Sequence, residues 1–112
     1  MTALVNEPLN IRYEGPGFGT ELLGAVQANF FIDALDREVA VLVNIPALEF
    51  LAGELGVEAD DAWNERAAAV IGEAVVRDQH AEGGRIEALT FVGASVFHEI
   101  PGLLDHVKQV LS

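Results

Sequence analysis

Alternation at a period of two runs through this chain, and it supplies apolar side chains to both sides of the sheet it implies. In residues 24–35 (GAVQANFFIDAL), Val26, Ala28, Phe30, Ile32 and Ala34 share one parity, while Phe31 sits among the polar residues of the other. Residues 38–44 (EVAVLVN) interleave Val39, Val41 and Val43 with Ala40 and Leu42. Successive strand side chains point to opposite faces, so these two segments read as a hairpin turning at Asp36 and Arg37. Residues 85–97 (RIEALTFVGASVF) read as a further strand, with Gly93 as a bulge.

One face of the implied sheet collects Val26, Phe30, Ile32, Val39, Val41, Val43, Ile86, Val92 and Val96. The opposite face collects Phe31, Leu42, Leu89, Phe91 and Phe97. An antiparallel sheet with a solvated back is polar on that side, and monomers rarely expose large apolar patches. Aromatic side chains bury about 150–250 Å² each, so these five residues, three of them phenylalanines, cover about 500 Å² or more. At about 25 cal/mol per Å² this is worth on the order of 10 kcal/mol before the costs of association. Three arrangements accommodate it: coverage by the chain itself, through Phe18 and its Gly-rich loop or a register reversal at Gly93; a homodimer; or a pocket for an apolar ligand or peptide.

The remaining segments complete the fold. Residues 6–14 (NEPLNIRYE) alternate as a first strand, and Gly15-Pro16-Gly17-Phe18-Gly19 breaks regular structure. Pro46 suits a first helical turn, Leu48, Leu51 and Leu55 form a stripe, and Gly56 is a C-cap. Asp60 or Asp61 caps a second helix with Trp63, Ala67, Val70, Ile71 and Ala74 on its apolar side, ending at Gly83-Gly84. Residues 103–111 form a terminal helix with Leu103, Val107, Val110 and Leu111 inward. The order β-β-β-α-α-β-α predicts one α+β domain over residues 1–112. Its antiparallel sheet has about four strands, with helices mainly on one face.

Composition limits the function. The 112 residues carry a formal net charge of −12, with 18 acidic against six basic residues, yet 51% are hydrophobic. This charge disfavours nucleic acid and anionic membranes and suits a basic protein or peptide partner. There is no cysteine, no apolar run of membrane-spanning length and no secretory signal pattern, so a cytoplasmic location is expected.

No motif selects a chemistry. The 15–20 run GPGFGT lacks the G-x-G-x-x-G spacing and the lysine of phosphate-binding loops and reads as a turn. Ser95 is not in a nucleophile elbow. The acidic residues Glu49, Glu54, Asp60, Asp61, Glu87 and Glu99 are candidates for acid–base work, but nothing selects a pair. No metal or cofactor is expected, although His98, Glu99 and His106 could converge if the terminal helix folds back.

The sequence therefore predicts a small acidic, non-enzymatic interaction module. It self-associates, as a homodimer, and binds a protein or peptide through Phe31, Leu42, Phe50, Leu89, Phe91 and Phe97. The alternative is a small-ligand-binding protein or enzyme with a pocket between sheet and helices, using His98, Glu99 and His106.

Overall fold

A computed structural model describes residues 10–16, 24–83 and 85–112. Among these residues four strands form one sheet in the order β1-β2-β3-β4: β1 (Ile11–Pro16), β2 (Ala25–Ile32), β3 (Arg37–Asn44) and β4 (Leu89–Val92). Among the described residues four helices accompany them: α1 (Ile45–Leu55), α2 (Asp61–Gly83), α3 (Val96–Glu99) and α4 (Leu103–Leu111). The fold is α+β as expected, but the sheet is mixed rather than antiparallel. β1 and β2, and β2 and β3, pair antiparallel, whereas β3 and β4 pair parallel.

The parallel pair follows from helix length. Asn44 ends β3 and caps α1, its side chain accepting a hydrogen bond from the Ala47 N–H at 2.9 Å. α1 stops at Gly56, whose φ of 67° is the left-handed conformation that glycine adopts without strain. Asp60 then caps α2 by accepting from the Trp63 N–H at 2.8 Å. α2 is 23 residues long, about 34 Å at 1.5 Å per residue. That carries the chain back to the end of the sheet where β3 began, so β4 must start beside the start of β3.

The hairpin between β2 and β3 closes through a short 3-10 turn at Asp33–Leu35 and Asp36, which takes φ 51°. β1 includes Gly15 and Pro16, which the sequence assigned to a break. They fit because β1 lies at the sheet's edge, where a bulge between Tyr13 and Gly15 offsets the pairing. The part of the first predicted strand before Asn10, and the proposed cover by Phe18, lie outside the described residues.

α2 lies on the face formed by Ala28, Phe30 and Ile32 of β2 and Val39, Val41 and Val43 of β3. Gly72 permits the approach: a Cβ there would meet Phe30 Cε2 at 2.8 Å and Val41 Cβ at 3.3 Å. These strand residues join Leu48, Leu51, Trp63, Ala67, Ile71, Val75, Val76, Leu103 and Val107 in one core.

Two further expectations are corrected. The strand predicted over residues 85–97 is regular only at Leu89–Val92, and the chain then turns into α3. Val96 and Phe97 are therefore buried helix residues of the core, not strand residues on opposite faces. Val110, expected inward on the terminal helix, is 53% exposed, because α4 seats Leu103 and Val107 against the core instead. Among the described residues, no helix is long and apolar enough to cross a membrane.

Candidate functional site

The two edges of the sheet are built differently. β1 carries Arg12 and Glu14, a bulge and a terminal Pro16. Each of these hinders the addition of another strand. β4 reads Leu89-Thr90-Phe91-Val92, without charge, proline or bulge, and among the described residues it pairs with β3 alone. Among the described residues, its brevity is the only protective device it has.

The ladder fixes what β4 offers. Ala40 N–H donates to Ala88 C=O at 2.9 Å, in a register that places Ala40 opposite Leu89 and Leu42 opposite Phe91. In a parallel pair, alternate residues turn both backbone groups toward the neighbour. Thr90 and Val92 thus address β3, and the N–H and C=O groups of Leu89 and Phe91 point away from the sheet. Gln79 of α2 fastens the strand from the helical side. Its amide donates to Thr90 Oγ1 at 2.9 Å, and its carbonyl accepts from Glu87 N–H at 3.1 Å.

The side chains of Leu89 and Phe91 stand on the face away from α2, 52% and 66% exposed. Between them and β2 lies Leu42, only 3% exposed but outside the main core, with Gln27 opposite it on one side and Phe91 on the other. The half of this face nearer β1 is closed by polar groups. Gln27 donates to Asn29 Oδ1 at 2.6 Å. The Arg12 guanidinium lies 4.9 Å from the centre of the Phe31 ring and 3.6 Å from Asp33.

The six residues expected to bind a partner consequently divide. Leu42, Leu89 and Phe91 are adjacent on one face, and Phe31 shares that face beneath Arg12. Phe50 and Phe97 are elsewhere: the Phe50 ring, on α1, packs 5.5 Å from the ring of buried Phe97 on α3. The alternative site is not assembled. His98 and Glu99 are exposed on α3 and His106 on α4, and no three His, Asp or Glu side chains among the described residues are grouped to hold a metal ion.

Two grooves were not anticipated. One of about 430 Å³ lies where the chain enters β3 and β4, lined by Leu35, Arg37, Arg85, Ile86, Glu87 and Ala88. Arg37 is already engaged there, donating to the Ile86 carbonyl, and Arg85 lies 3.9 Å from Glu87. The other, about 260 Å³, separates α2 from α4 and is lined by Val70, Glu73, Ala74, Arg77, His106 and Val110.

Thr90 and Gln79, which centre and fasten β4, escaped the sequence reading. A signal for β4 exists in the charge pattern. Residues 22–32, 39–48 and 88–98 are long runs without Asp, Glu, Lys or Arg. The first holds β2 and the second most of β3, each paired along both sides, and the third holds β4, which among the described residues is paired along one. Compared with protein-family models, curated proteins and solved structures, the chain matches none.

Proposed function

We propose that this protein is a protein-interaction module whose contact surface is β4: its outer edge together with the Leu89, Phe91 and Leu42 side chains beside it. The observation that carries this reading is the pair Leu89 and Phe91, more than half exposed on an edge strand that has the composition of an interior one. Such an edge presents backbone groups that an incoming strand satisfies, while the neighbouring apolar side chains supply area. The chain's net charge of −12 lies outside residues 88–98, so the contact itself is charge-free within an acidic molecule. That acidic remainder disfavours polyanions as partners.

The test compares two exposed apolar positions. Phe91→Asp and Val110→Asp both place a charge where the monomer already meets solvent, so both variants fold. Proteins retained by the immobilised wild type from cells that express it are lost with Phe91→Asp and kept with Val110→Asp. Equal retention by all three proteins contradicts the reading.

A further inference from the structure

The edge of β4 is self-complementary, and we infer that its occupant is the β4 strand of a second copy, paired antiparallel about a two-fold axis at Thr90. This inference rests on the reading of β4 as the contact strand and names the partner.

The register follows from which groups are free. Leu89 and Phe91 are the two β4 residues whose backbone groups point outward. An antiparallel neighbour satisfies them by exchanging both N–H···O bonds between directly opposed residues. Placing Leu89 opposite the partner's Phe91 makes Phe91 face the partner's Leu89 by symmetry, and every outward group of both residues is used. A shift of two residues one way sets Leu89 against its own copy and Phe91 against the partner's Glu87. The opposite shift sets Leu89 against the partner's Gly93. Only the register centred on Thr90 stacks Leu89 on Phe91 twice, forming a four-residue apolar cluster continuous with Leu42 on each side. In that register Arg85 and Glu87 fall beyond the paired strands, toward the partner's uncharged Gly93–Ser95 turn, so no like charges are opposed.

Charge also selects the edge for a second copy. Two molecules of charge −12 repel, and the cost is least where a strand and its flanks carry no charge. Residues 88–98 are such a stretch, and the β1 edge, with Arg12, Glu14, a bulge and Pro16, is not. Self-association therefore has a signature opposite to that of a basic partner: added salt screens the repulsion and tightens the dimer.

Cysteine trapping tests the register, because the native chain has no cysteine. Opposed Thr90 residues form a non-hydrogen-bonded pair with Cα atoms about 4.5 Å apart. A disulfide accepts Cα separations of about 4.4–6.8 Å. Under mild oxidation Thr90→Cys gives a covalent dimer in high yield, and Leu89→Cys, offset from its own copy by two residues, does not. In sedimentation at micromolar concentration the wild type is a dimer that tightens with NaCl. Phe91→Asp weakens it by about 100-fold, since the two-fold repeats a change that costs about tenfold at each copy. A single-chain mass at every concentration and salt overturns the inference, and the retention experiment above then decides separately whether β4 binds another protein. A dimer that Phe91→Asp dissolves but Thr90→Cys fails to trap overturns the strand pairing while leaving the apolar patch as an interface.

Discussion

Replacing Gly72 by alanine adds one methyl group where α2 rests on the sheet, and its effect measures how closely the two are seated. In a helix exposed to solvent the change is favourable by about 1 kcal/mol, because glycine forfeits more backbone entropy than alanine. Here the new Cβ would stand 2.8 Å from Phe30 Cε2, 2.9 Å from Phe30 Cζ and 3.3 Å from Val41 Cβ. Phe30 and Val41 are both fully buried, so neither has room to yield. Overpacking of this kind costs about 1–3 kcal/mol. We predict that the loss wins, with a net destabilisation of up to about 2 kcal/mol. For a domain of this size that lowers Tm by up to about 8 °C. In urea the midpoint falls with an unchanged slope. Phe30→Leu removes the opposing ring atoms, so in that background Gly72→Ala becomes neutral or stabilising. The reasoning is refuted if Gly72→Ala raises Tm in the otherwise native chain, since α2 would then stand off the sheet.

Three other outcomes follow from particular contacts. Asn44→Ala removes the acceptor for the Ala47 N–H and costs about 1 kcal/mol in chemical denaturation, with Asn44→Asp retaining most of it. Burial, and secondarily Glu65, raise the Tyr13 pKa above 10.0, so the folded state holds its phenolic proton more tightly than the unfolded chain. Stability from this source is complete below pH 10 and declines as pH rises through the folded value, and Tyr13→Phe flattens that alkaline decline in pH-dependent melting. Because −12 charges repel one another in the folded chain, moderate NaCl raises Tm.

The parts of the fold that were legible in the sequence are those decided locally. Pro46, the Leu48–Leu51–Leu55 spacing and Gly56 fix α1, and Asp60 fixes the start of α2, because caps and stripes depend on residues within a turn or two. The alternation of β2 and β3 identified both strands and their faces, since a period of two survives any tertiary arrangement. The direction of β4 was not legible. It depends on how far α2 carries the chain, which is a matter of three-dimensional reach rather than of local pattern. Residues 93–97 misled for another reason: Gly93-Ala94-Ser95-Val96-Phe97 continues a strand's composition, but its side chains are claimed by the core through α3, where Phe97 meets Phe50.

The candidate site was legible in the same measure. Leu42, Leu89 and Phe91 were placed on one face correctly, because each alternates with the core-facing valines of its own strand. Phe31 was placed there too, but its cover by Arg12 depends on the pairing of Arg12 with Phe31 across β1 and β2. That β4 lies at an edge is a property of strand order, and the alternating pattern says nothing of order. The charge-free run at residues 88–98 carries the edge's composition but gains meaning only once β4 is seen to be paired, among the described residues, on one side.

Amide hydrogen exchange at β4, followed residue by residue across a range of protein concentrations, tests the open edge most directly. Thr90 and Val92 N–H groups bond to β3 and are protected at every concentration. Leu89 and Phe91 N–H groups exchange fast in dilute solution and become protected as concentration rises, in step with the mass of the species. Equal protection of all four amides at every dilution, with the mass of a single chain, would contradict the account.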